Sequence, residues 1–568
     1  MYKKNLIITI SIAIIIAGLY KILPIKKSSL SYLFQRSEQK SIVAKFDTAK
    51  NQIIKVQDNT VYETIRWEDS TTSGVLNDSV KYLSGKQPLF TNLQIWPGGL
   101  LGKVEGSVAS IVLSGFYDEK LIAFFKLLNK CPHQQYVSYN AAMEAPPYQL
   151  PWYPWQAQSF KEYILSFRHI FTISKKFAPA VQIVWSPAGV PGAEEYWPGS
   201  NFVDLISINL DIDKAANQGP YAPYKSVAEL MRRRLLRMRF MNTPILFLAE
   251  KKAQKEMMQQ QWLDELNKEI LANIAIFRTP IIPTEHDTAL ENKPRAKMLE
   301  LGVYDPLLLL TNQKLITTEH IFPSLQSVMN GSFKKEFDEI IGRKHDVIVT
   351  MEAWRDGKIE KDPNLLANTL SGKYDLVWTK LYQIISGVPQ TVYLRWGHEM
   401  EIPINRYPWQ SQDPVQYIKA FRYFATFQKP RSSNIKLVWG PAGDRGSLEW
   451  WPGEDVVDFV SFAIYGLPDK DINDYNRQIS FGTIFHLKYH RMRFTQKPIF
   501  ITEFGVKGPE AYKKKWLEEA AVTINKYPEI YGCSYFNFKD TPKAWGNAET
   551  PDWSITDSTF KRFASLLN

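Results

Sequence analysis

Short apolar runs alternate with longer stretches of helical periodicity across residues 298–568. Apolar segments predict strands at Glu300–Tyr304, Leu315–Phe322, Asp346–Trp354, Thr391–Trp396, Ile435–Trp439, Val456–Tyr465, Ile499–Glu503 and Ile530–Phe536. Amphipathic stretches between them predict helices at Ser332–Ile341, Asp375–Ile385, Pro414–Gln428, Asn473–Arg491 and Pro509–Tyr527. Eight strands separated by helices in about 270 residues have the size and rhythm of a (β/α)8 barrel.

The same order runs from about Lys45 to Ile276, and the two stretches share words. Trp185-Ser186-Pro187-Ala188-Gly189 returns as Trp439-Gly440-Pro441-Ala442-Gly443, Tyr196-Trp197-Pro198-Gly199 as Trp450-Trp451-Pro452-Gly453, and Arg237-Met238-Arg239-Phe240 unchanged at 491–494, each 254 positions on. Leu113 to Asp118 matches Leu370 to Asp375 at a separation of 257. A fixed long period means one unit repeated. The fold class expected is therefore α/β, two tandem (β/α)8 TIM barrels preceded by an N-terminal membrane anchor. The boundaries are 1–27 for the anchor, 28–40 for a polar spacer, 41–280 for the first barrel, 281–297 for a Pro-containing charged linker and 298–568 for the second barrel.

The anchor is read from Leu6 to Tyr20, an apolar run broken only by Thr9 and Ser11 and flanked by Lys3, Lys4, Lys21, Lys26 and Lys27. It is slightly short for a span, but lysines at both ends snorkel. Ala17-Gly18-Leu19 makes a poor cleavage site, so a single-pass anchor with extracytoplasmic barrels is expected first and a cleaved secretion signal second. The net charge of +11 is scattered among acids, without a basic arm, and nucleic acid is excluded as a partner. Cys131 and Cys533 read as core thiols. Eight histidines without metal-ligand spacing give no metal and no cofactor. The 17 Trp, 28 Tyr and 31 Phe change the picture, because flat apolar faces suit sugar rings.

The chemistry concentrates at two predicted strand ends. Tyr393-Leu394-Arg395-Trp396-Gly397-His398-Glu399-Met400 delivers ionisable groups after strand four, and Ile499-Phe500-Ile501-Thr502-Glu503 delivers a glutamate at strand seven. The C-terminal ends of barrel strands are where this fold presents catalytic groups. Two carboxyls about 5.5 Å apart would serve a retaining glycosidase, one as acid/base and one as nucleophile. Glu399 is read as the acid/base and Glu503 as the nucleophile. Tyr465 is placed to hydrogen-bond the nucleophile, Arg395 to keep it charged, and His398 to position substrate. Trp354, Trp409 and Trp545 are the preferred sugar platforms, with Trp396, Trp439 and Trp553 behind them.

These residues resemble glycoside hydrolase family 26, a family of endo-β-mannanases with some lichenases and xylanases. The resemblance rests on Leu301 to Tyr304, Gly372 to Asp375, Arg395 to Met400, Tyr407-Pro408-Trp409, Trp451-Pro452-Gly453 with Val457-Asp458, Tyr465, and Thr502 to Gly505, in family order. It implies a retaining β-mannanase-like hydrolase of polysaccharide, with Glu399 as acid/base, Glu503 as nucleophile, His398 as a substrate contact and Tyr465 as the nucleophile's partner. Glu401 to Arg406 departs from the family pattern, which leaves the sugar open.

In the first copy the offsets put Ala142, Ala141 and Ser138 at the places of Glu399, His398 and Arg395, and Ala249 and Asp211 at those of Glu503 and Tyr465. Glu144 and Glu250 lie nearby, so a shifted register is the alternative. The expectation is a degenerate, non-catalytic barrel kept for binding, spacing or support, with Trp152, Tyr153, Trp155 and Trp197 as the aromatics that would hold a glycan chain in the first case. A different class of function remains beside the hydrolase: a non-hydrolytic glycan-binding or scaffold protein of exopolysaccharide synthesis or export. Oligomeric state is not legible.

Overall fold

The structure is a computed structural model that describes residues 40–567 apart from 48–49, 57–59, 69–85, 97–106, 146–152, 154, 157–158, 211–226, 251–252, 278–297, 354–361, 404–405, 468–478 and 541–548. The expected anchor, the spacer apart from Lys40, and the linker lie outside the described residues. Among the described residues, no helix is long and apolar enough to cross a membrane.

The N-terminal half contains β1 (Lys40–Asp47), β2 (Gln52–Lys55), β3 (Val61–Glu68), β4 (Leu89–Trp96), β5 (Gln135–Tyr139), β6 (Gln182–Trp185), β7 (Leu205–Asn209) and β8 (Ile245–Glu250). The C-terminal half contains β9 (Glu300–Tyr304), β10 (Thr318–Ile321), β11 (Asp346–Met351), β12 (Val392–Trp396), β13 (Ile435–Trp439), β14 (Phe459–Val460), β15 (Ile464–Gly466), β16 (Ile499–Val506) and β17 (Ile530–Phe536).

In the C-terminal half the pairings among β9 to β17 are all parallel, and the ring closes as β9 meets β17 on one side and β10 on the other. β14 and β15 share the sixth position, and both pair with β16. This is the expected (β/α)8 barrel. Its lumen is filled in layers, as strands with period two require. Ile348, Tyr393, Val438, Phe459 and Phe500 form an apolar layer. Two residues on along three of these strands, Thr350, Arg395 and Thr502 form a polar layer with His320 and Ser461, all buried. The outer helices begin where the sequence supplies caps: Asp413 accepts from Gln416 N with Pro414 in the first turn, and Ser480 accepts from Thr483 N.

The N-terminal half departs from the expected second barrel. Strands β3 to β8 form a parallel run of six, but β1 lies antiparallel to β8, from Lys40 opposite Glu250 to Phe46 opposite Ile245, and folds back on β2. A hairpin occupies the place beside the seventh strand. Among the described residues no ladder joins it to β3, and the sheet of β1 to β8 is open there.

The two halves meet through a face that each presents to the other. Arg237 Nη2 donates to Glu449 at 2.8 Å, and Arg491 Nε, 254 positions on, donates to Glu195 at 2.6 Å, Glu195 itself standing 254 before Glu449. Arg239 reaches Trp451 O at 2.9 Å and Arg493 reaches Glu194 O at 2.8 Å. Phe240 packs on Phe494, its own counterpart, with ring centroids 5.9 Å apart. The Arg237–Glu449 pair is thus answered by Arg491–Glu195 with the halves exchanged, whereas Arg232 with Asp413 and Phe160 stacked on His490 have no such counterpart among the described residues.

Candidate active site

Glu503 lies in β16 at the barrel mouth, 9% exposed. Thr502 and Glu503 are neighbours, and a regular strand would turn them to opposite faces. Here both meet Arg395: its Nη1 donates to Thr502 Oγ1 at 2.8 Å, and its Nη2 is paired with Glu503 Oε1. The pairing of β16 with β17 is irregular between Ile501 and Phe504, and this bulge re-aims the glutamate inward. Tyr465 OH donates to the other carboxylate oxygen at 3.1 Å.

Arg395 is the hub beneath. Its Nε donates to Thr350 Oγ1 at 2.9 Å, and Ser461 and His320 complete the polar layer through Thr502 and Thr350. Burial pulls its guanidinium below the usual arginine range, with the Glu399 charge opposing that pull. At 2% exposure and with the fork spent on Thr350, Thr502 and Glu503, Arg395 has no face for a sugar. Its partners place it beside Glu503 and not in a substrate-facing position. The stem passes so close to β13 that a Cβ at Gly440 would lie 2.6 Å from Arg395 Cδ.

Glu399 stands three residues beyond the end of β12 in a left-handed conformation, φ +52°. That backbone is unfavourable for a non-glycine residue and persists only when its surroundings fix it. Three consecutive carbonyls are clamped: Gly397 O by Tyr417 OH at 3.0 Å, His398 O by Trp409 Nε1 at 2.6 Å and Glu399 O by Gln410 Nε2 at 3.1 Å. Glu399 N donates to Gly440 O at 2.9 Å. The side chain is half-buried, and burial raises its pKa above the ordinary glutamate value; Arg406, Arg395 and Lys488 oppose the shift and Asp444 adds to it. The Glu399 charge is also felt by Tyr465 and Arg395, the two groups that touch Glu503.

His398 is 2% exposed, and its Nδ1 has no hydrogen-bond partner. Burial, then Arg395, Arg406 and His320, hold its pKa well below the usual histidine value, so the ring is neutral. A neutral imidazole with an unused nitrogen suits a hydroxyl partner.

The aromatic platforms are largely corrected. Trp409 is fully buried, stacks on Tyr407 at 4.6 Å and spends its N–H on His398 O, so it clamps the acid loop and offers no sugar face. Trp396 and Trp439 are core residues at 0% exposure, and Trp553 is buried against Tyr465. Trp354 and Trp545 lie outside the described residues. Sequence reasoning missed Tyr304, Phe322 and Phe536, half-buried rings at or just beyond the ends of β9, β10 and β17. Tyr304 packs on Phe322 at 5.0 Å and on Phe536 at 4.6 Å, and Phe536 lies 6.3 Å from Tyr465. Their strand-end positions were the available signal.

The N-terminal half repeats the scaffold with the acids missing. Ala142 has φ +58°, its N–H donates to Ser186 O at 2.9 Å, and Trp155 Nε1 donates to Ala141 O at 2.8 Å, matching Glu399, Gly440, Trp409 and His398 in turn. Glu144 takes the place of Glu401: it accepts from Ala188, Gly189 and Val190 N–H, as Glu401 accepts from Gly443 and Asp444. The shifted register is thereby ruled out for Glu144. Trp155 and Trp197 are buried, which removes them as glycan platforms; Trp152 and Asp211 lie outside the described residues. Cys533 is buried and Cys131 partly so, and neither is in a disulfide. Among the described residues, no group of three His, Cys, Asp or Glu is placed to hold a metal ion.

No family model matches the chain. A β-1,3-xylanase of Alcaligenes sp is 26% identical over 194 residues, covering 31% of this chain and 38% of the xylanase. Endoglucanase H of Acetivibrio thermocellus is 25% identical over 234 residues, covering 39% of this chain and 24% of the endoglucanase. The chain thus spans well under half the length of the curated relatives it matches. Among solved structures, GH26C from Muricauda sp. is 13% identical, covers 47% of this chain and 85% of its own, and has a TM-score of 0.37. The endo-β-1,4-mannanase from Thermotoga petrophila is 10% identical, covers 49% of this chain and 78% of its own, and has a TM-score of 0.32. In sequence, the chain is similar to enzymes that hydrolyse glycans.

The raised pKa of Glu399 has a readable sign. A buried carboxyl keeps its proton to higher pH, so the alkaline limb of kcat/KM is expected above the ordinary glutamate pKa of about 4.3 and is expected to vanish in Glu399→Ala. The same shift weakens the fold as pH rises through the raised value, since the ionised form is the one burial disfavours. A pH profile of both proteins checks this, and a limb unchanged in the variant would assign it to another group.

Proposed function

We propose that the chain is a retaining β-glycan hydrolase anchored outside the cytoplasm, built from two tandem copies of one barrel-type unit, of which only the C-terminal copy is catalytic. The observation that carries this reading is Glu503 held inward by Arg395 and Tyr465, both of which also feel the charge of half-buried Glu399. Glu399, protonated, gives its proton to the departing glycosidic oxygen. Glu503, ionised, attacks the anomeric carbon and forms a covalent glycosyl ester. Glu399 then takes a proton from water, which attacks the same carbon, frees Glu503 and returns the original anomeric configuration. His398 hydrogen-bonds a sugar hydroxyl, and Tyr304, Phe322 and Phe536 supply flat apolar surface beside it.

The likeness to family 26 puts mannan first among substrates, and the curated relatives add β-1,3-xylan and β-glucan. The test is incubation of the chain from residue 28 onward with mannan, β-1,3-xylan, β-1,4-xylan and mixed-linkage β-glucan, reading reducing ends and the first-formed anomer by NMR. Release of the retained anomer from one polymer is expected. Binding without release would replace the hydrolase with a glycan-holding scaffold, and an inverted first anomer would discard Glu503 as nucleophile.

A further inference from the structure

The loop after β13, residues 440–447, is held from both halves of the molecule. From its own barrel, Glu401 Oε1 accepts from Gly443 N at 2.9 Å, Asp444 N at 3.1 Å and Ser447 Oγ at 2.7 Å. Lys488 Nζ donates to Ala442 O at 2.6 Å, and Gly440 O receives Glu399 N. From the N-terminal half come two carboxylates, Glu194 and Glu195, only 1% and 3% exposed. Glu194 accepts from its own Gly192 N and, across the interface, from Gly446 N, both at 3.1 Å. Glu195 accepts from Arg491 Nε at 2.6 Å and from Arg445 Nη2 at 3.3 Å, while Arg491 Nη1 donates to Gly443 O at 2.8 Å.

A run of short contacts therefore leads from Glu195 through Arg491 into the loop whose first carbonyl anchors the strained backbone of Glu399. Burying two carboxylates is costly unless they are paired, and most of their partners belong to the other half of the chain. We propose that Glu194 and Glu195 are positioning residues for the acid/base: the N-terminal half, which lacks counterparts of Glu399 and Glu503, acts through the turn Ala193–Tyr196 as a fixed abutment that sets loop 440–447 and through it Glu399. This deepens the hydrolase reading and rests on it.

The test separates a misplaced acid from a loosened protein. A poor leaving group needs the proton from Glu399, whereas a 2,4-dinitrophenolate departs without one. In the full chain, Glu195→Gln is expected to lower kcat/KM on the polysaccharide by about 10- to 100-fold, and on the 2,4-dinitrophenyl glycoside of the same sugar by less than about 3-fold, because small misplacements of a catalytic group cost this much. Equal losses on both substrates, or no loss on either, would overturn the proposal. Amide exchange gives a second readout in Glu195→Gln and in the independent variant Glu194→Gln. Faster exchange confined to residues 440–447 supports the abutment, while exchange spread through the barrel, or unchanged in the loop, refutes it. If the unaltered protein cleaves neither substrate, the hydrolase reading fails, and the exchange readout still decides whether the N-terminal half sets the loop.

Discussion

Glu503→Ala is expected to lower kcat/KM on the responsive polysaccharide by at least about 10⁴-fold, the scale on which enzymes lose rate when their nucleophile is removed. The carboxylate is delivered inward by a bulge in β16 and gripped by Arg395 and Tyr465, an arrangement that no neighbouring residue can reproduce. Azide supplies the decisive arm. It enters the space left by the side chain, attacks the anomeric carbon of an activated glycoside and leaves a glycosyl azide of inverted configuration. Recovery of that product by NMR marks residue 503 as the nucleophile's seat. Because alanine also strands a buried guanidinium, Glu503→Gln is measured beside it: the amide oxygen still accepts from Arg395 but does not attack. Near-normal activity in both variants, with unfolding midpoints within a few degrees of the parent, would remove Glu503 from the mechanism.

Arg395→Met is expected to cost about 3–5 kcal/mol of stability, the usual loss when one partner of a buried ion pair is deleted. On a barrel of this size that is about 10 °C in Tm. Methionine fills the channel beside Gly440 but removes the guanidinium donors to Glu503 Oε1, Thr502 and Thr350, leaving only Tyr465, Ser461 and His320 on these groups. Arg395→Lys is expected to recover only part of the loss, because an ammonium is a single point and cannot reach three acceptors at once. Calorimetry of the three proteins checks the order, and a methionine variant as stable as the parent would show that the polar layer adds nothing to the fold. The N-terminal half shows the same logic in reverse. Where Arg395 becomes Ser138, Gly440 becomes Ser186, since no guanidinium needs the space; Ser138 bonds Asn92 at 3.2 Å and Ser186 bonds Ser207 at 2.7 Å.

The C-terminal barrel was readable because its strands are continuous apolar runs and its helices carry their caps in the sequence. Asp375–Ile385 is observed as expected, and Pro414–Ala425 ends three residues early. The open N-terminal sheet was not read. Lys40–Lys55 pairs as a hairpin around Asn51, which has φ +50°, whereas the repeat argues for a parallel first strand and carries no sign of this departure. Motif spacing located Arg395, His398, Glu399, Tyr465 and Glu503 but not their orientation. That Trp409 faces inward follows from its bond to a carbonyl eleven residues earlier, a tertiary fact that no local pattern encodes. The bulge that turns Glu503 inward is equally invisible, since Ile-Thr-Glu-Phe reads as an unbroken strand.

The reciprocal face between the halves has one further consequence. Arg237 with Glu449, and Arg491 with Glu195, are counterpart pairs 254 positions apart, and Phe240 packs on its own counterpart Phe494. Such a surface is self-complementary, so residues 298–568 cut free of their companion would expose a patch able to pair with a second copy of itself, Arg491 finding the other copy's Glu449. The unbroken chain thus carries its own mate for that patch, and the pairing is fixed by covalent connection instead of by concentration.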